Sequence, residues 1–188
     1  MEVLVNEVPA GTALLNQELL APVSVSLLAD LMLNQGLMLA TAESCTGGLI
    51  AAACTDLAGS SAWFERGFVT YSNAAKTDML GVDAALIAQH GAVSEPVARA
   101  MAFGAIRHST AQVSVAVTGV AGPAGGSIDK PAGTVWFAWS ISGSLHSEIQ
   151  RFSGDRGSVR HATVHHAIDK LLTLLSKNLP LQAGAKTP

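Results

Sequence analysis

The stretch Gly36-Leu37-Met38-Leu39-Ala40-Thr41-Ala42-Glu43-Ser44-Cys45-Thr46-Gly47-Gly48-Leu49-Ile50-Ala51-Ala52-Ala53 decides how this chain is read. Its opening is a short apolar run that predicts a buried strand over 36–42. Its close reads as the first turns of a helix opening near Gly47. Ser44 sits in the small-residue turn between them, where free backbone N–H groups and the positive end of the helix dipole converge. A junction of this kind can bind an anion or stabilise an oxyanion.

Working outward, Val25, Leu28, Leu31 and Met32 fall at helical spacing and predict a helix over 23–34. Residues 1–21 read as a leader whose role the pattern does not give. Downstream, Gly59-Ser60-Ser61 is a turn, and 64–71 alternates as a strand. Asn73 is placed to cap a short helix through Leu80, which Gly81 stops. Ser94-Glu95-Pro96 starts another helix, with Val97, Met101 and Ala105 on one face beside Ala98, Ala102 and Ile106. Val113, Val115 and Val117 alternate along a strand that ends in Thr118-Gly119.

The segment from Gly119 to Gly133 carries five glycines and two prolines, so it is a long loop, and long loops in compact domains are usually functional or disordered. Two strands, 134–141 and 145–152, form a hairpin around Ser142-Gly143-Ser144. A final helix runs from about Gly157 to Leu175, with Val164, Ile168, Leu171, Leu172 and Leu175 on its apolar face. Helices alternating with strands predict an α/β layered fold whose mostly parallel sheet is made mixed by one antiparallel strand of the hairpin. One domain spans 22–178, followed by a tail over 179–188.

Composition narrows the function classes. Of the 188 residues 49% are apolar and 13% charged, which predicts a sizeable core rather than disorder. A net charge of −3 argues against a protein that grips a nucleic-acid backbone, while leaving room for a small anion held by local cations. The two cysteines, Cys45 and Cys54, have no metal-ligand spacing and define no disulfide framework, which suits a reducing compartment. Glu2 and Glu7 stand where a secretory signal has basic residues, and no apolar run is long enough for a membrane span. A soluble, cytoplasmic protein with no metal and no cofactor is the expectation.

Ser44 is weak as a nucleophile unless a base activates it, and no histidine lies near it in sequence. His161, His165 and His166 fall in the last helix, where a solvated face is expected. Lys76 is the better candidate base, because a lysine pushed into an apolar site loses stability as a cation and then accepts a proton from serine. Tyr71 is placed to hold or relay that proton. Pattern alone nonetheless favours bland roles for both, a half-buried strand residue and a solvated helix charge. Cys45 is a rival nucleophile, but reads better as a small residue packed behind the turn. Gly47 and Gly48 would let a ligand approach the backbone closely. The loop that begins at Thr118 starts where a parallel strand ends, which is where open α/β sheets bind ligands. Arg156 suits a bidentate phosphate or carboxylate contact, with a surface cation as the equal alternative.

Together, Thr41–Gly48, Gly59-Ser60-Ser61, Tyr71–Lys76, His90–Ser94, Val117–Pro123, Lys130–Trp136 and Gly154-Asp155-Arg156 resemble the CinA C-terminal domain family, in its stand-alone nicotinamide-nucleotide amidase form. The ordered set covers roughly residues 22–175. The resemblance implies a three-layer α/β/α sandwich and metal-free hydrolysis of the carboxamide of nicotinamide mononucleotide to nicotinate mononucleotide and ammonia. It makes Ser44 the nucleophile and puts Tyr71 and Lys76 in the positions of its proton-handling partners, overturning the bland roles. Thr46, Gly47, Gly48, Asn73, Thr118, Gly119, Gly122 and Arg156 are the residues expected to contact substrate.

The leader has no counterpart in the resemblance, and the additional N-terminal nucleotide-processing domain of larger relatives has none here. Ala124 stands where relatives often carry an acidic residue. The expected partner is a small nucleotide, with no nucleic acid or membrane, and the chain is expected to form a homo-oligomer. A non-catalytic nucleotide sensor and an amidase for a different small amide remain the alternative readings.

Overall fold

Five strands form one sheet in the order β2-β1-β3-β4-β5. They are β1 (Leu39–Glu43), β2 (Phe64–Val69), β3 (Val113–Gly119), β4 (Thr134–Ile141) and β5 (Ser144–Arg151). The helices are α1 (Ala10–Gln35), α2 (Leu49–Thr55), α3 (Asn73–Leu80), α4 (Ala84–His90), α5 (Glu95–Arg107) and α6 (Arg156–Lys177). This computed structural model describes residues 10–177, with side chains from residue 23, so all of the leader's side chains and the tail over 179–188 lie outside the described residues. Among the described residues no helix is long and apolar enough to cross a membrane.

β1 pairs in parallel with β2 and with β3, whereas β3–β4 and β4–β5 are antiparallel. Four of the strands therefore point one way and β4 alone runs against them, the mixed sheet that the late hairpin predicts. Apolar side chains alternate across the two faces. Leu39, Val113, Val115, Val117, Val135, Phe137 and Trp139 pack with Leu28, Met32, Ile50, Ile168 and Leu171 from α1, α2 and α6. The opposite face is built from small residues, Ala40, Ala42, Ala116 and Ala138, against Val97, Met101 and Ala102 of α5 and Leu80 of α3. Small side chains on both partners let α5 lie close to the sheet. Where α5 crosses α3 the approach is closer still, since a Cβ added at Gly104 would meet Leu80 O at 2.2 Å.

The differences from the sequence reading are local. The first helix starts at Ala10, not 23, so it takes in much of the expected leader. The first strand covers Leu39–Glu43 rather than 36–42, since Gly36, at φ 63, ends the helix before it. Asn73 is the first helical residue rather than the cap. Ser72 caps α3, its Oγ accepting from Ala75 N at 3.0 Å. α4 was not expected; Asp83 caps it through Ala85 N. His166 is not on a solvated face, because its ring packs edge-on against Phe137 at 4.9 Å between centroids and its Nε2 contacts Glu148.

Candidate active site

Because β2, β1 and β3 are adjacent and parallel, their carboxyl ends open on one edge of the sheet, and each leads into a segment that the sequence reading singled out. β1 runs into the Ser44–Gly48 turn, β2 into Thr70–Lys76, and β3 into the 119–133 loop. β5 points the same way, so α6 also begins at this edge with Arg156. Backbone hydrogen bonds fix the turn between its neighbours. Ser44 N donates to Val117 O at 3.1 Å, and Thr70 N donates to Glu43 O at 2.8 Å.

Alternation along β1 sends successive side chains to opposite sides of the sheet. Glu43 goes to the α2 side and is fully buried. Its Oε2 accepts from Gly48 N and Ile50 N, both at 3.0 Å, and its Oε1 accepts from Ala51 N at 2.8 Å and Thr41 Oγ1 at 3.2 Å. The carboxylate thus satisfies the orphan N–H groups of α2 and sits at the positive end of its dipole.

Ser44 goes to the α3 side. Lys76, 1% exposed, lies with Nζ 3.1 Å from Ser44 Oγ and donates to Thr70 O at 2.9 Å. Burial lowers the Lys76 pKa below the ordinary lysine value, opposed by the neighbouring Cys45 thiol. The contact to Ser44 serves either protonation state, since an ammonium donates through it and a neutral amine accepts. An amine biased toward neutrality beside a 9%-exposed hydroxyl is the constellation of an activated nucleophile. Burial pushes the Cys45 thiol up to about 11, with Glu43 adding to the rise, which disfavours the thiolate that a cysteine nucleophile needs.

Tyr71 is not joined to this pair. It is 61% exposed, and its hydroxyl accepts from Arg156 Nη2 at 2.7 Å rather than bonding to Ser44 or Lys76. Arg156 Nη1 donates to Gly122 O at 3.1 Å, so one guanidinium ties the segment after β2 to the loop after β3. Gly122, Pro123 and Arg156 border a cavity of about 300 Å³ together with Gly154 and Asp155. Asp155 Oδ1 accepts from Ser158 N at 2.7 Å and so caps α6. Of the helix N-termini at this edge, those of α2 and α6 are occupied by carboxylates of the chain, and that of α3 is capped by the Ser72 hydroxyl.

Several expected contacts are committed elsewhere. Gly48 N is held by Glu43, and Gly47 N donates to Ser44 O at 3.1 Å, so these two amides are not free oxyanion donors. Gly48, at φ 98, takes the left-handed backbone that turns the chain into α2, which glycine adopts without strain. Thr118 Oγ1 donates to Ala92 O at 2.8 Å, anchoring the α4–α5 connection. Gly119 is needed because β4 passes close, and a Cβ there would meet Thr134 O at 2.7 Å. Asn73 is exposed and borders a separate cleft between α3 and α4 with Thr77, Ala84 and Ile87. Thr46 is fully buried, its carbonyl accepting from Arg160 Nη2 at 2.6 Å. Its hydroxyl, like that of Thr70, has no partner among the described residues.

Sequence reasoning missed Glu43, Thr70 and Arg160. Glu43 carried a signal, a lone carboxylate at the end of an otherwise uncharged run, which demands buried donors. Thr70 acts through its carbonyl, which any residue supplies, and Arg160 lies 114 residues from its partner.

Known proteins resemble this one in sequence and in fold. The nicotinamide-nucleotide amidohydrolase PncC of Pseudomonas putida is 58% identical over 134 residues, spanning 71% of this chain and 84% of that protein. The protein of the same name from Escherichia coli strain K12 is 54% identical over 138 residues, 73% of this chain and 84% of that one. The crystal structure of the competence damage-inducible protein A (ComA) from Klebsiella pneumoniae superposes with a TM-score of 0.82 at 38% identity, covering 85% of this chain and 99% of that one. Residues 23–175 match the family model described as the CinA C-terminal domain, and the chain belongs to that family.

Proposed function

We propose that this amidohydrolase hydrolyses the carboxamide of nicotinamide mononucleotide, with Ser44 as nucleophile and Lys76 as its base. The observation that carries the reading is the buried 3.1 Å contact between Lys76 Nζ and Ser44 Oγ at the carboxyl edge of the parallel strands. Relatives at 54–58% identity bear the name nicotinamide-nucleotide amidohydrolase, which supports the substrate.

In the proposed sequence, neutral Lys76 takes the proton of Ser44 as Oγ bonds to the amide carbon. The resulting ammonium gives that proton to the departing nitrogen as the C–N bond breaks, releasing ammonia and leaving a nicotinoyl ester on Ser44. Water then adds to the ester carbon while Lys76 accepts its proton. The same proton returns to Ser44 Oγ as the ester opens to nicotinate mononucleotide. Thr70 O holds Nζ throughout, which keeps the amine aimed at Oγ. The substrate phosphate meets Arg156, whose fork of donors suits a dianion.

Ammonia release measured across nicotinamide mononucleotide, nicotinamide riboside, nicotinamide and unrelated small amides tests the assignment. The mononucleotide is expected to give the highest kcat/KM. Turnover of an unrelated amide with none of the mononucleotide would overturn the substrate. Tight binding of the mononucleotide with no ammonia released would make the chain a sensor.

A further inference from the structure

The geometry points to Tyr71 as a specificity-determining residue, its exposed ring being the platform on which the cationic pyridinium ring of the substrate stacks. This inference rests on the nicotinamide mononucleotide reading above. A proton relay through the Tyr71 hydroxyl would need a hydrogen bond to Ser44 or Lys76. The hydroxyl is instead held by Arg156 Nη2 at 2.7 Å, while the side chain stays 61% exposed.

Tyr71 is tethered at both ends. Its backbone follows Thr70, which is fully buried and whose carbonyl is one 2.9 Å hydrogen bond from Lys76 Nζ, itself 3.1 Å from Ser44 Oγ. At the far end its hydroxyl meets a guanidinium that also donates to Gly122 O. Tyr71 is thus joined through its backbone to the segment that holds the nucleophile's base and through its hydroxyl to Arg156, the two stations that the proposed substrate engages with its carboxamide and its phosphate. A pyridinium laid along Tyr71 presents the carboxamide to Ser44 and the phosphate to Arg156.

The chemistry of the two rings matches. The pyridinium nitrogen of the mononucleotide carries a positive charge, and the face of a tyrosine ring is the negative part of its quadrupole. Arg156 approaches at the hydroxyl, on the rim, so it does not occupy the ring face. A side chain with two torsions, already held at its tip, also loses little freedom when a ligand settles on it.

The test compares wild type, Tyr71→Phe and Tyr71→Leu on two nucleotides that share carboxamide, ribose and phosphate. These are nicotinamide mononucleotide, with a cationic ring, and its dihydro form, with an uncharged one. The readout is the ratio of kcat/KM for the cationic to the neutral ring, normalised to wild type so that intrinsic reactivity cancels. Tyr71→Leu is expected to lower the normalised ratio roughly tenfold, the range a desolvated cation–π contact reaches, mainly through a higher KM for the cationic nucleotide. Tyr71→Phe keeps the ring and is expected to hold the ratio within about twofold.

An unchanged ratio in Tyr71→Leu would overturn the platform while leaving the substrate assignment standing. So would a loss in Tyr71→Phe as deep as in Tyr71→Leu, which would give the role to the hydroxyl. A wild-type chain that releases no ammonia from either nucleotide would remove the substrate assignment and the platform together.

Discussion

Lys76 Nζ and Ser44 Oγ stand 3.1 Å apart although 32 residues separate them in sequence, and both are shielded from bulk water. Ser44→Ala and Lys76→Ala are each expected to lower ammonia release from nicotinamide mononucleotide by about 10³-fold or more, since members of a nucleophile–base pair act as a unit. The double variant should be hardly worse than either single one. Circular dichroism and Tm check that the fold survives. Activity within about tenfold of wild type in either single variant would reject the pair.

The pH dependence follows from the lowered Lys76 pKa. Activity is expected to rise with pH through the folded-state value, which lies below the ordinary lysine range, and then to level off. Stability carries the matching sign. Between the folded-state and unfolded-state values the unfolded chain binds more protons, so unfolding free energy rises with pH across that window. Denaturant titrations at several pH values should show wild type gaining on Lys76→Met through the same window. A gain toward acid pH would contradict a buried amine.

Cys45 is expected to be inert. With its thiol pushed up to about 11 and the side chain buried, iodoacetamide at neutral pH should label it slowly, and Cys45→Ala should keep turnover. Mass spectrometry after timed alkylation, read beside residual activity, checks both. Loss of activity that tracks Cys45 labelling, with Ser44→Ala still active, would transfer the nucleophile to sulfur.

Glu43→Ala strands three backbone N–H groups at the start of α2 and the hydroxyl of Thr41. A loss of about 2–4 kcal/mol is expected, from a missing helix cap plus unsatisfied buried donors. Glu43→Gln keeps one carbonyl oxygen and should lose less stability, yet still lower kcat, because the turn that aims Ser44 is anchored there. Urea midpoints and single-turnover rates separate the two effects.

Arg156→Ala is expected to raise KM for the mononucleotide by about 10- to 100-fold, the worth of a charged hydrogen bond, and to affect nicotinamide riboside much less. Equal losses on both would assign Arg156 to holding Tyr71 and Gly122 rather than the phosphate.

Much of the fold was legible because its signals are local. Val113, Val115 and Val117 alternate, Ser94-Glu95-Pro96 opens α5, and Gly81 closes α3, each within a few residues. The mixed, mostly parallel sheet followed from the alternation of elements and the late hairpin, while the three layers came from the family resemblance. Lys76 was legible as a candidate, but only coordinates show that it faces the sheet rather than solvent. Glu43 stood out as a lone carboxylate, but three of its four donors are backbone amides, so sequence did not say what it would bind. That the Gly47 and Gly48 N–H groups are taken within the turn was hidden for the same reason. The tie between Tyr71 and Arg156 was not legible because 85 residues separate them.

Ser44 follows directly on β1, and Lys76 lies in α3, which the short segment 70–72 joins to the neighbouring parallel strand β2, where interstrand spacing is set by backbone hydrogen bonding at roughly 4.8 Å. Their separation is therefore set by the sheet together with the short β2–α3 connection and α3 itself, and the 123–131 excursion supplies neither residue. Insertions or wholesale rewriting between 123 and 131 can reshape what enters the cleft while the reactive pair keeps its distance. A lineage built on this arrangement can change its diet without relearning its chemistry.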